Sequence, residues 1–320
     1  MNTSSDTATQ RDLWVSAGLL CVVSPFMAEV LSSNQTPWSF VLLSWGLVVV
    51  YGFPVLLLRE WALRRGVSLG GLLIAGFGYG FYNEGLIAKT IFLNQKVPWN
   101  LFDGRIGWGG VNWGWLLVIC AFHALFSIVT PLLLIEKLRP RTSGQTWLSK
   151  RSAPVLFLAI AFVSLAYFKQ KPVTLPIGFY CLWGGIGLSV VLGSFWRGAW
   201  MPVGRAISSR ALVWWGAFVL PSLLLLSGAF AHGLFWAVFG LGWAVIALFY
   251  VRHALRGGDS GTLAMGLGAY AGMSAMNVVF AHPVAKVVGF LAFVAIVFWL
   301  RKNKSLLEVH PVESPEVAPN

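Results

Sequence analysis

The chain has 320 residues, 57% of them hydrophobic and only 11% charged, with a net charge of +12. A soluble domain carries roughly 25% charged residues, so this composition excludes one and reads as an all-α, polytopic helical membrane protein. A membrane β-barrel is excluded as well, because its strands read as short alternating segments and not as apolar runs of about 20 residues. The positive charge does not imply nucleic acid, since no soluble basic domain carries it and the basic residues sit at the ends of apolar runs.

Ten segments are near the length a bilayer requires: residues 12–31, 38–58, 69–93, 113–135, 153–170, 174–195, 211–229, 232–251, 261–281 and 283–300. The N-terminal residues before the first segment lack the basic region of a cleaved signal, so that segment is expected to be retained. The boundary between the ninth and tenth falls at Ala281-His282-Pro283, which demands a very tight turn.

Basic residues alternate across the expected connections. One side carries Arg59, Arg64 and Arg65, then Lys137, Arg139, Arg141, Lys150 and Arg151, then Arg197, Arg205 and Arg210, then Arg252 and Arg256, then Arg301, Lys302 and Lys304. The other carries only Lys96, Arg105, Lys169 and Lys171. The positive-inside rule therefore predicts ten spans with both termini in the cytoplasm. The expected organisation is one transmembrane domain over residues 1–302 and a disordered Pro- and Glu-containing tail over 303–320. The expected location is the bacterial inner membrane.

Glu84 is the most informative single residue. A carboxylate at the centre of a membrane helix costs about 2.5–3.5 kcal/mol on insertion scales, which makes it a functional-site candidate. Gly76, Gly80 and Glu84 are four residues apart and share one helix face, so two glycines stack below the carboxylate and permit close helix approach. Tyr79, Tyr82 and Asn83 make its surroundings polar.

The fourth segment carries His123, Ser127 and Thr130, a polar stripe that ends in Pro131. Helical rise places Glu84 roughly 22 Å and His123 roughly 18 Å from the inner face, so the two can meet. Such a pair can bind a cation, relay a proton, activate water or simply lock the fold. Glu29 lies four residues beyond Pro25, and Asn277 shares a face with Ser274 and Tyr270 on the ninth segment. The candidate cluster is thus Glu84, His123, Glu29, Asn83, Tyr82, Ser127 and Asn277. It is concentrated in residues 12–135 and in the outer half of the membrane, with the later segments expected to serve mainly as packing. His232 and His282 are expected at outer helix ends. Cys21, Cys120 and Cys181 lie in apolar runs without metal-ligand spacing, so they are expected to be small buried core residues. No metal or other cofactor is expected.

Several stretches carry a resemblance: Ser24-Pro-Phe-Met-Ala-Glu-Val-Leu31, Leu58-Arg-Glu60, Tyr79-Gly-Phe-Tyr-Asn-Glu-Gly-Leu86, Gly110-Val-Asn-Trp113, and His123 with Ser127-Ile-Val-Thr-Pro131. Over residues 20–140 the chain resembles an uncharacterised family of bacterial polytopic membrane proteins whose third segment bears Tyr-Gly-x-x-Glu-Glu-Gly-Leu. That pattern in turn echoes the CPBP (Abi) intramembrane proteases, whose Glu-Glu-x-x-x-Arg motif activates water. Asn83 stands here where the first glutamate belongs, Ala88 where the arginine belongs, and Ile119 where a phenylalanine precedes the histidine. The residues needed for that chemistry are therefore incomplete, and the sequence leans away from an enzyme. The leading expectation is a transporter or permease that handles a small solute or ion through an outward-facing polar cavity. A non-catalytic scaffold with a membrane-protein partner is the alternative, and a protease with a degenerate motif the second. The lipid bilayer is the expected partner, and no nucleic acid is.

Overall fold

The computed structural model describes residues 8–30, 37–93, 110–170, 176–194, 208–226, 234–280 and 283–303. Helix forms at all ten places the sequence marks. The α-helices are α1 Gln10–Pro25, α2 Pro37–Leu47, α3 Phe53–Arg65, α4 Leu69–Tyr82, α5 Trp113–Phe122, α6 Thr130–Leu138, α7 Ser152–Gln170, α8 Ile177–Ser194, α9 Ser209–Leu226, α10 Leu234–Arg256, α11 Gly258–Phe280 and α12 Pro283–Lys302. No strand occurs among the described residues. Five stretches among the described residues are long and apolar enough to cross a membrane: Gln10–Val30, Pro37–Arg65, Trp113–Leu138, Ser152–Lys169 and Ile177–Ser194. The loop around Trp99 and Trp108, His232, His282 and the tail beyond 303 lie outside the described residues.

Local chemistry sets the helix ends. The Thr9 hydroxyl accepts from the Asp12 N–H while the Asp12 carboxylate accepts from the Thr9 N–H, a capping box. Ser68 and Asn112 cap α4 and α5 one way only, their side chains accepting from the Gly71 and Trp115 N–H groups. Gly66 closes α3 in the left-handed conformation, φ 63°. The third helical stretch is shorter than the apolar run suggests. Helix ends at Ile87, Lys89 adopts φ 59°, and Thr90–Phe92 forms a 3₁₀ turn.

Four of the long rods contain a wide π-helical turn: π1 Phe26–Val30, π2 Val48–Gly52, π3 Asn83–Ile87 and π4 His123–Val129. Three of them adjoin a proline: Pro25 before π1, Pro54 after π2 and Pro131 after π4. A proline has no N–H, so the carbonyl four residues earlier loses its helical donor. In an apolar surrounding that carbonyl must find another partner. The Val50 carbonyl, orphaned by Pro54, accepts the Tyr79 hydroxyl at 2.7 Å. The Cys21 carbonyl, orphaned by Pro25, lies against Gly52, where a Cβ would come within 2.5 Å of it.

Packing brings these rods together. α4 packs along α5, π4 and α8. Gly76 and Gly80 make the approach to α5 and π4: a Cβ at Gly76 would lie 2.7 Å from the Ala124 Cα, and one at Gly80 2.6 Å from the Cys120 Cα. α11 packs against α9, α10 and α12 and also meets α6 and π4. Cys21 and Cys120 are buried as expected, whereas Cys181 is exposed on the apolar face of α8. That exposure follows from α8 turning one apolar face away from the bundle, with Leu182 and Leu188 also exposed.

A charged cluster closes the end of the bundle where α3 and α6 terminate. Arg59 pairs with Glu60 at 2.8 Å and Glu136 at 3.0 Å, and its guanidinium stacks 3.4 Å over the Trp147 ring. Glu60 accepts the Trp147 N–H at 2.6 Å, and Arg64 donates to the Leu148 carbonyl at 2.6 Å. Arg59 and Glu60 are thus the core of a clamp that fastens the segment after α6 under the helices.

The two glycine contacts yield a direct test. Gly80→Ala drives a methyl into helix backbone and is expected to cost about 1–3 kcal/mol. Gly185→Ala, where nothing lies within 4 Å, is expected to stay within about 0.5 kcal/mol of wild type. Denaturant unfolding in detergent measures both, and equal effects would contradict the close approach.

Candidate functional site

The four π turns deliver their polar side chains to one buried region. π3 carries Asn83 and Glu84, π4 carries His123 and Ser127, π1 carries Glu29 and π2 carries Tyr51. Glu84 is 7% exposed and His123 1%. The two expected to meet do so, with His123 Nε2 2.9 Å from Glu84 Oε1. On the other side of the ring, Nδ1 lies 2.9 Å from the Ser127 hydroxyl.

The partners assign the protons. A carboxylate only accepts, so beside an ionised Glu84 the hydrogen of a neutral His123 resides on Nε2. Nδ1 then accepts from Ser127. When the imidazole is cationic, Nδ1–H donates and the same serine accepts, because a hydroxyl can do either. The second Glu84 oxygen, Oε2, accepts the Thr90 hydroxyl. Thr90 is committed to that donation because its oxygen receives the Trp115 indole N–H at 2.9 Å, and an indole only donates. Thr90 and His123 thus converge as donors on one carboxylate, and Trp115 orients Thr90 for it.

Aromatic rings enclose the imidazole. Tyr79 meets it edge-on with ring centres 5.4 Å apart, Phe122 edge-on at 5.6 Å, and Tyr51 lies tilted at 5.8 Å. The Tyr51 hydroxyl donates to Glu29, which places a second buried carboxylate beyond the ring. The Asn83 amide nitrogen is 3.4 Å from both the Tyr79 hydroxyl and His123 Nε2. Since Tyr79 spends its own hydrogen on Val50, it accepts from Asn83.

Of the sequence candidates, Glu84, His123, Ser127 and Asn83 form one contact network, and Glu29 joins it through Tyr51. Tyr82 points elsewhere, its hydroxyl sharing a hydrogen bond with Ser164 on α7. Asn277 falls on α11, but its side chain lies outside the described residues. Tyr51, Thr90 and Trp115 were not legible as members. Trp115 reads as an interfacial aromatic, Thr90 as part of a continuing span, and Tyr51 as an ordinary apolar aromatic. Pro54, three residues past Tyr51, is the one sequence signal that the helix is disturbed there. Lys89, equally unforeseen, is buried with its ammonium 3.8 Å over the Phe168 ring and 2.7 Å from the Phe168 carbonyl.

The network can hold and transfer a proton. Among the described residues, no three His, Cys, Asp or Glu side chains gather to hold a metal ion. A profile described as an uncharacterized membrane protein family matches residues 18–300, and the chain belongs to that family. No curated protein and no solved structure shows significant similarity to it.

Removing one partner of a buried pair strands the other. Glu84→Ala is therefore expected to destabilise the protein by about 3–5 kcal/mol. Glu84→Gln keeps an acceptor oxygen and is expected to cost about 1 kcal/mol. Unfolding in detergent checks the ranking, and a small, equal loss for both would show that the contact carries no stability.

Proposed function

We propose that this member of an uncharacterized membrane protein family is a permease-like protein that handles a proton, or a small solute coupled to one, at Glu84 and His123. One observation carries the reading: both imidazole nitrogens have partners suited to either protonation state, with Glu84 on one side and the Ser127 hydroxyl on the other. A purely structural histidine needs only one fixed arrangement, whereas this one can change charge without losing a hydrogen bond. The location of the group supports it further, since ionisable residues at membrane depth mark ion and proton routes more often than packing. π turns are also frequent at functional sites, and four of them meet here.

The accompanying topology is ten spans in the bacterial inner membrane with both termini cytoplasmic. It rests on the alternation of basic residues at the helix ends, including Arg64 and Arg65 after α3, Lys137 and Arg139 after α6, Arg252 and Arg256 at the end of α10, and Arg301 and Lys302 at the end of α12. In that orientation the Glu84 cluster belongs to the outer half and the Arg59–Glu136 clamp to the cytoplasmic end.

A second reading is a membrane scaffold in which the cluster locks the fold. The observation that favours it is the depth of burial, with Glu84, His123 and Asn83 each under 10% exposed. A water-activating protease is less well supported, because an amide, Asn83, stands beside Glu84 where a second carboxylate would be needed.

Proteoliposomes carrying a pH-sensitive dye and an imposed membrane potential separate the first two readings. The permease reading expects proton entry above protein-free vesicles, reduced to that background by Glu84→Gln in equally inserted protein. Equal flux in wild type and variant removes Glu84 from any transport mechanism. A partner that co-purifies at fixed ratio, with no flux, supports the scaffold.

A further inference from the structure

Pro131 removes one helical donor, and two carbonyls lie where that N–H could have bonded. In the α register its missing N–H would have bonded the Ser127 carbonyl, four residues back. In the π register, which Thr130 demonstrates by donating to the Leu125 carbonyl, it would have bonded the Phe126 carbonyl, five residues back. Both carbonyls lie inside π4, the turn that bears His123 and Ser127. Both are taken by hydroxyls from other rods. Ser24 Oγ on α1 donates to the Ser127 carbonyl at 2.6 Å, and the Tyr270 hydroxyl on α11 donates to the Phe126 carbonyl at 2.8 Å.

We infer that Tyr270 and Ser24 are positioning residues for the proton-carrying histidine: they hold π4 open by occupying the two carbonyls, of Ser127 and Phe126, that the N–H missing at Pro131 could have served. Both are fully buried, 0% exposed. The Tyr270 ring also meets Phe126 edge-on with centres 4.1 Å apart, and Phe126 in turn stacks on Phe122, the residue before His123. The turn is thus pinned from α1 on one side and α11 on the other. A helix that relaxed from the π to the α register would rotate His123 relative to the residues beyond Pro131, because the number of residues per turn falls. Glu84 is fixed independently by π3, so the rotation would be felt as a change at His123 Nε2. The α9–α12 group, which packing alone would cast as support, therefore reaches the site through one hydroxyl. This inference rests on the proposed role of His123 in proton handling.

The test uses the full-length protein in lipid, with histidine labelled in its ring nitrogens and the His123 signals identified by their loss in His123→Gln. Tyr270→Phe keeps the ring contact and removes only the hydroxyl. It is expected to shift both His123 nitrogen signals and to lower Glu84-dependent proton flux about tenfold, the equivalent of one lost hydrogen bond. Ser24→Ala is expected to act in the same direction, and Ser24→Thr to restore the wild-type signals. Pro131→Ala returns a backbone N–H to the turn, so it is expected to suppress the effect of Tyr270→Phe. Wild-type His123 signals in Tyr270→Phe and Ser24→Ala would overturn the inference. So would a Tyr270→Phe defect that Pro131→Ala leaves unrelieved. If Tyr270→Phe fails to fold, Ser24→Ala and Ser24→Thr decide by the same signals. A wild-type protein without flux would sink the proton-handling reading alone, since the nitrogen signals report the positioning without it.

Discussion

Inside an apolar bundle no water can replace a lost backbone hydrogen bond, and the arrangement of the first four rods follows from that constraint. Pro25, Pro54 and Pro131 each remove a helical donor, and at Pro54 and Pro131 a hydroxyl from a neighbouring rod takes the carbonyl left behind. Gly52 lies against the Cys21 carbonyl, Tyr79 bonds the Val50 carbonyl, and Ser24 and Tyr270 bond the carbonyls of Ser127 and Phe126. The prolines do not merely loosen helices. They create acceptors that only particular neighbours can satisfy, and so they help specify which rods touch and in what register. The wide turns beside them carry Glu29, Tyr51, His123 and Ser127 to a common region, where Glu84 arrives on a fourth such turn.

Two buried charged clusters result, with different designs. The Arg59–Glu60–Glu136 group is rich in fixed contacts: a stacked tryptophan, two carboxylates and two backbone carbonyls hold its arginines. It reads as a clamp. The Glu84–His123 group is built from groups whose hydrogens can move, a hydroxyl on one side of an imidazole and a carboxylate on the other. Burying such a pair rarely adds stability over a well-packed apolar substitute.

Much of this was legible in the sequence, for identifiable reasons. Apolar runs located the helical stretches because length and hydrophobicity are their whole signature. The Gly76–Gly80–Glu84 spacing showed a shared face, and counting rise per residue showed that His123 lies at comparable depth. Thr90 and Trp115 stayed hidden because the run from Leu69 to Leu93 is continuously apolar, while the chain actually leaves the helix near Lys89 with positive φ. Tyr51 stayed hidden because an aromatic in an apolar run ordinarily means core. The π turns have no composition of their own, so only the prolines hinted at them. Tyr270 shows the same limit. Its shared face with Ser274 and Asn277 was marked, but not the carbonyl across the seam that the hydroxyl would find.

The buried site depends on Glu84 and His123 meeting within a bilayer. Solid-state NMR on protein in lipid, with the Glu84 carboxyl carbon and the His123 Nε2 labelled, measures their separation directly. A hydrogen-bonded pair predicts about 3–4 Å between those nuclei, with the Nε2 signal of a protonated ring nitrogen. A separation of about 6 Å or more, beyond hydrogen-bond reach, would contradict the pairing and with it the role assigned to the π turns.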